Sequence, residues 1–326
     1  MKHISFPSID QFRGVIKHIA DNCKHHSVLL PTLNFIGTVK LHGSNHGVCM
    51  SPKGEIYTQS REHITTRESD NAGSHYWTMA NIDRFIVAFD HIKHFHAVED
   101  DDTIQIFGEW CGGNIQKGVG ISNLPKNFIV FGVRISKDAE DTEFLSEEEV
   151  HAICEGHLEY IMDFPHYEIS IDFNRPEQAQ ARLIELTNRV EADCPVARSC
   201  LGADFAGELI GEGIVWTTTY KGRTMRFKVK GEKHSISKVK VLAPVDIEKV
   251  ESIREFVSNV VTEARLTQGL EHVESRDPKN TGAFLKWVMS DIFKEEMDTM
   301  TGNGFTSKEV SGHLSIAIRQ WFLGVQ

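Results

Sequence analysis

Lys40-Leu41-His42-Gly43-Ser44-Asn45 is the stretch on which the reading of this chain turns. It lies in a segment, Asn34 to Ser51, that reads as two strands turning near His42-Gly43, because Thr38, Lys40 and His42 alternate against Phe35, Val39 and Leu41. Alternation of this kind puts the apolar set on one face and leaves Lys40 at a strand end. Four further clusters follow in order: Phe107-Gly108-Glu109, Phe128-Ile129-Val130-Phe131, Glu212-Gly213-Ile214-Val215 and Phe227-Lys228-Val229-Lys230. Each alone recurs by chance in soluble proteins, so the weight lies on the ordered set.

The chemistry of these residues converges on a phosphate-bearing ligand. A lysine attacks phosphorus only as the neutral amine, and its unperturbed pKa is about 10.4, so a nucleophilic Lys40 needs burial or nearby positive charge. Lys228 and Lys230 are candidates for that charge. In an extended strand Arg226, Lys228 and Lys230 share one face, and three like charges in a row are unfavourable unless an anion lies over them. From Lys221 to Lys240 the chain carries eight Lys or Arg against the single acid Glu232. That stripe fits a nucleic-acid or nucleotide surface, and equally an edge strand that uses lysines to block aggregation. Glu109 and Glu212 flank apolar runs, where a carboxylate needs a partner: a ribose hydroxyl, a divalent metal, or an ordinary salt bridge to one of the lysines. Phe131 reads as a core residue or as a platform for a base.

Composition narrows the setting. The 326 residues leave room for two domains, and 40% hydrophobic with 25% charged residues describe an ordinary soluble protein. With a formal charge of −11, the molecule as a whole does not attract nucleic acid, so any such contact uses a local basic surface. Six scattered cysteines (Cys23, Cys49, Cys111, Cys154, Cys194, Cys200), without a Cys-x-x-Cys pair, fit a reducing cytoplasm. Charge and proline in Met1-Lys2-His3-Ile4-Ser5-Phe6-Pro7 precede any signal-like apolar run, and no later run is long enough to span a bilayer.

Helical spacing of Met79, Ile82, Phe85, Ile86, Phe89, Ile92 and Phe95 predicts one helix over Tyr76 to Val98, lying on a sheet. His91, His94 and His96 fall on its polar flank without acid or cysteine at zinc spacing, which favours a solvated helix end over a metal site. Strands are expected at Thr103 to Trp110, Asn127 to Ile135, Gly213 to Thr219 and Arg223 to Val229, and a capped helix from Ser146 with Glu149. The acidic patch around Glu140 to Glu149 reads as that helix's solvated start. After Ala243-Pro244 come amphipathic helices over Asp246 to Leu270, Thr281 to Met297 and Thr306 to Phe322, the last with a Thr306/Glu309 capping box. A domain boundary is placed there. No P-loop pattern occurs.

Taken together, the five clusters resemble the five nucleotidyltransferase motifs shared by ATP-dependent ligases and capping enzymes. The likeness is strongest to the second type of T-even phage RNA ligase, the nick-sealing group that also includes kinetoplastid RNA-editing ligases. Histidine two places after the lysine favours that group over DNA ligases, which usually carry aspartate there. The resemblance implies an α+β nucleotidyltransferase domain with ATP-grasp-like antiparallel sheets and helices over residues 1–243, and a small all-α C-terminal domain over 244–326. It further implies Lys40 as the adenylylated nucleophile, with His42 and Asn45 supporting the first step and Arg61 contacting nucleotide and phosphate. Glu109 would bind ribose, Phe131 stack on adenine, Glu212 help hold Mg2+ or Mn2+, and Lys228 and Lys230 contact the α-phosphate. The activity implied is ATP-dependent joining of RNA ends, by a monomer, through a lysyl-AMP and an RNA-adenylate. Alternatives are a capping-type guanylyltransferase, a DNA ligase, or a non-catalytic nucleic-acid-binding module. Two positions depart from the pattern: Gly132 stands where aspartate is common, and Thr217 where relatives often have lysine, a phosphate contact that Lys221 or Arg223 would have to take over.

Overall fold

A computed structural model describes residues 1–24, 30–137, 144–234, 249–273 and 275–324. The chain divides into two compact units, Met1–Glu232 and Lys233–Gln326. The boundary expected at Ala243-Pro244 lies outside the described residues.

The first unit is mixed α and β. Its elements in order are β1 (Asp10–Gln11), α1 (Phe12–Lys24), β2 (Thr32–Val39), β3 (Ser44–Met50), β4 (Ile56–Ser60), β5 (Ile64–Thr65), α2 (Ser74–Ala80), α3 (Ile82–Phe95), β6 (Thr103–Cys111) and β7 (Asn127–Ser136). There follow α4 (Glu147–Cys154), β8 (Glu159–Tyr160), β9 (Tyr167–Asp172), α5 (Glu177–Ala192), α6 (Pro195–Leu201), β10 (Gly213–Tyr220) and β11 (Arg223–Lys230). One sheet runs β1-β11-β10-β2-β9 and the other β5-β4-β3-β6-β7-β8. Pairing is antiparallel except at β1 with β11 and β7 with β8.

The alternation around Lys40 is real: Phe35, Val39 and Leu41 are buried while Thr38, Lys40 and His42 are partly exposed. The two strands of that segment do not form a hairpin, however. β2 joins the first sheet and β3 the second, so Lys40 to Gly43 is the crossing between them. Alternation fixes which face a side chain takes and says nothing of the neighbouring strand. One apolar core runs through both sheets, including Phe35, Trp216 and Phe227 from the first and Ile106, Trp110 and Phe128 from the second.

The single helix expected over Tyr76 to Val98 is broken at Asn81, whose side-chain amide donates to the Trp77 carbonyl at 2.8 Å. Phe85, Phe89 and Ile92 of its stripe are buried, with Phe85 against Phe128 of the sheet, but Met79, Ile86 and Phe95 are exposed. Helix α4 carries the expected box, Ser146 N to Glu149 Oε2 at 2.7 Å and Glu149 N to Ser146 Oγ at 3.3 Å.

The second unit is helical: α7 (Lys249–Val260), α8 (Glu263–Val273), α9 (Thr281–Gly302) and α10 (Ser307–Leu323). Its own core includes Phe256, Val260, Phe284, Val288, Ile292, Leu314 and Phe322. The helix expected over Asp246 to Leu270 is two helices, because the Thr262 hydroxyl accepts from Arg265 N and starts a new one. Arg265 is fully buried, paired with Asp291 at 2.8 Å and Glu296 at 3.4 Å. The Thr306/Glu309 capping box is formed. Among the described residues no helix is long and apolar enough to cross a membrane, and five cysteines are free thiols.

Candidate active site

Lys40 follows the last residue of β2, and its backbone N–H donates to the Gly213 carbonyl at 2.8 Å, which ties it to the first residue of β10. Its Nζ donates to Glu212 Oε2 at 2.7 Å, and His42 Nδ1 lies 3.0 Å from the same oxygen. Lys230 Nζ lies 3.2 Å from Glu212 Oε1. Register explains the meeting: Gly213 faces Lys230 across the β10-β11 pair, and Ile214 faces Val39 across β10-β2. Gly213 is required for this approach, since a Cβ there would come 2.2 Å from the Val229 carbonyl oxygen at a φ of +151°. Glu212 is 2% exposed. Burial pushes its carboxyl up, but Lys40, Lys230 and the His42 hydrogen bond together outweigh burial and hold it well below the usual carboxylate range. The positive charge expected to act on Lys40 is thus not bare, because Glu212 stands between Lys40 and Lys230.

Glu109 enters from the second sheet. It faces Asn45 across the β3-β6 pair, and its Oε1 accepts from Gly43 N at 2.9 Å. A Cβ on Gly43 would lie 2.4 Å from the Trp110 carbonyl oxygen, so only glycine lets the crossing loop lie this close to β6. Burial raises the Glu109 carboxyl to about 7, opposed by Lys40, reinforced by the Glu212 charge and opposed further by Gly43 N–H and Arg61. Arg61, exposed just after β4, is therefore close enough to be felt. Hydrogen bonds and ion pairs bring Lys40, His42, Glu212 and Lys230 together, with Glu109 held to the crossing loop at Gly43 and Asn45 opposite it in register.

Lys228 faces Val215, which in turn faces Thr38, so the row sits one pleat repeat from Lys230 and Lys40. Phe131 is partly buried and is the extra residue of a bulge: Phe107 pairs with Gly132, and Gly108 with Val130. Its ring meets Phe6 edge-on at 4.8 Å. The bulge was invisible in the period-2 pattern of the strand.

Lys221 and Arg223 do not reach the site. They occupy the Tyr220-to-Arg223 turn, at the opposite end of an eight-residue hairpin from Gly213 and Lys230, about 24 Å away along an extended strand. Lys238 and Lys240 of the basic stripe lie outside the described residues. His96 approaches Glu149 at 3.7 Å, and among the described residues no group of three or more His, Cys, Asp or Glu is arranged to hold a metal. The donors present near Lys40 are two carboxylates, Glu109 and Glu212. That hard-oxygen set fits a magnesium-type ion that completes its shell with water and phosphate oxygens, and does not fit a closed zinc centre.

The Lys40 cluster is thus a buried carboxylate held by two lysines and a histidine, with a second carboxylate, Glu109, hydrogen-bonded to the crossing loop. The family model described as RNA ligase matches residues 33–240, more than half of the chain, and the chain belongs to the RNA ligase family. No curated protein matches it significantly. Among solved structures it is similar to the Naegleria gruberi RNA ligase with PPi, at 16% identity and a TM-score of 0.46. A variant of that ligase with ATP and Mn is 17% identical, with a TM-score of 0.46. Each alignment covers 70% of this chain and 56% of the other, so the chain spans little more than half the length of those proteins.

Proposed function

We propose that the chain is an ATP-dependent RNA ligase that works through a lysyl-AMP on Lys40 and an RNA-adenylate, sealing a 3′-hydroxyl to a 5′-phosphate at nicks in duplex RNA. The observation that carries this reading is the Lys40 amine held 2.7 Å from the buried Glu212 carboxylate, where the chain crosses from one sheet to the other. Family membership over residues 33–240 supports it.

The reaction has three displacements at phosphorus. Lys40 Nζ forms a bond to the α-phosphorus and pyrophosphate leaves; the RNA 5′-phosphate oxygen takes AMP from the lysine; the 3′-hydroxyl oxygen then displaces AMP. A carboxylate at 2.7 Å favours the ammonium form of a lysine, so Glu212 must loosen its hold on Lys40 before attack. Glu212 would hold a divalent cation, which would supply charge neutralisation on the phosphates. Lys228 and Lys230 neutralise the α-phosphate, Glu109 takes the ribose hydroxyls, Arg61 contacts nucleotide and phosphate, Phe131 stacks on the base, and His42 and Asn45 keep the crossing loop in place. Incubation with labelled ATP and magnesium, a denaturing gel, and mass spectrometry test the reading: one AMP is expected on the Lys40 peptide and none in Lys40→Ala or Lys40→Arg, since guanidinium stays protonated. An adduct surviving in Lys40→Ala refutes it.

A further inference from the structure

Beyond the Lys40 cluster, a cavity of about 90 Å³ lies between the sheets, reached by Thr38 and Thr217 from one side, Phe131 and Gly132 from the other, and by the side chain of Arg226. The Arg226 guanidinium sits 4.1 Å from the ring centroid of Phe144 and 5.1 Å from that of Phe6. Rings cover the face of the cation, and among the described residues it has no hydrogen bond or ion pair. Burial pulls it down to about 10, with Tyr160 opposing and Arg134 reinforcing, which still leaves it charged at neutral pH. A guanidinium covered on its face keeps its N–H donors edge-on and unspent. Gly132 leaves this opening: a Cβ there would lie 3.7 Å from Arg226 Nη2 and 3.1 Å from Phe144 Cδ1. The aspartate common at this position in the resembling family would bring a carboxylate to that cation; here the carboxylate lining the cavity is that of Glu147, which makes no ion pair with Arg226 among the described residues.

The cavity also lies at a telling distance. Arg226 is two residues from Lys228, and Thr38 two residues before Lys40, a step of about 7 Å along each strand. A nucleotide whose α-phosphate lies at Lys40 and whose base runs back along these strands toward Thr38 and Arg226 would place that base in this space. We propose that Arg226 is a specificity-determining residue, donating to a ring-nitrogen acceptor on the edge of a bound purine nucleotide. The proposal rests on Lys40 as the nucleotide-transferring lysine for its orientation, and on the bare guanidinium for its chemistry.

The test is calorimetric titration of the full chain with ATP and with its 1-deaza, 3-deaza and 7-deaza analogues, each lacking one ring-nitrogen acceptor. Wild type is compared with Arg226→Met, which keeps an apolar stem against Phe144, and Gly132→Asp, which keeps the arginine and gives it a carboxylate. At least one analogue is expected to bind wild type about ten-fold or more weakly than ATP. That penalty should shrink to about two-fold or less in both variants, as in a double-mutant cycle. If Arg226→Met does not melt cooperatively, Gly132→Asp decides by the same criterion. No analogue losing affinity in wild type, or an equal penalty in all folded proteins, overturns the assignment. Mass spectrometry of Lys40 run alongside separates the two readings: penalties abolished by the variants without any adduct would sink the transfer reading and keep Arg226, whereas an adduct with unchanged penalties would do the reverse.

Discussion

Replacing Glu212 by glutamine keeps the shape of the side chain and removes its charge. The carboxylate is 2% exposed and meets Lys40 at 2.7 Å, His42 at 3.0 Å and Lys230 at 3.2 Å. Neutralising one member of a buried ion cluster costs about 3–5 kcal/mol, because the remaining charges stay desolvated and unpaired. Lys40 and Lys230 are 22% and 17% exposed, so screening favours the lower end, about 3 kcal/mol. In a unit of this size that corresponds to a fall in Tm of about 6–12 °C. The pH dependence has a fixed sign. Glu212 titrates well below its ordinary value of 4.5 in the folded state, so its stabilisation is present above about pH 4.5 and is lost as pH falls through the folded value. Urea unfolding of wild type and Glu212→Gln should therefore differ fully at pH 7 and converge on acidification below about pH 4. A difference under about 1 kcal/mol at pH 7 would make the cluster no better than a surface pair, and one that persists in acid would mean the lost charge is not its cause.

Phe131→Ala should weaken ATP binding about five- to 150-fold with Phe131→Leu intermediate, if its ring supports a base. Melting curves measured beside affinity decide, since a fall in Tm without loss of ATP affinity would assign the ring to the Phe6 contact alone. Glu109 titrates at about 7 folded against 4.5 unfolded, so its ionisation costs stability as pH rises through that window, by about 3 kcal/mol at most. Glu109→Gln keeps an acceptor for Gly43 N and does not ionise, so its Tm relative to wild type should rise between pH 5 and pH 8; an unchanged offset refutes the raised carboxyl. A chain ending at residue 243 keeps every residue of the Lys40 cluster and the whole first core, and should still form lysyl-AMP while losing most nick sealing and salt-resistant RNA binding. Undiminished sealing and RNA affinity would give the helical unit another task.

Local signals were legible because they depend on neighbours in sequence. The alternation around Lys40 gave the correct buried set, and the Ser146/Glu149 and Thr306/Glu309 boxes gave correct helix starts, since a cap needs only four consecutive residues. The restart at Thr262 is hidden in the sequence although its hydroxyl is an N-cap signal, because a continuous apolar period runs across it. The break at Asn81 is hidden for the same reason.

What the sequence determined by itself was the inventory of the site, its order along the chain, and the face each strand residue takes. Which residues meet was decided by tertiary structure. Glu212 reaches Lys40 across 172 residues, a pairing set by the β10-β2 register and by a glycine that admits the close approach at Gly213. The same hairpin register carries Lys221 and Arg223 to its far end, though in sequence they stand nearer to Glu212 than Lys228 and Lys230 do. Period-2 patterning specifies side and not partner, so the separation of β2 from β3 into two sheets, the bulge at Phe131 and the cavity that receives Arg226 exist only once the sheets have packed.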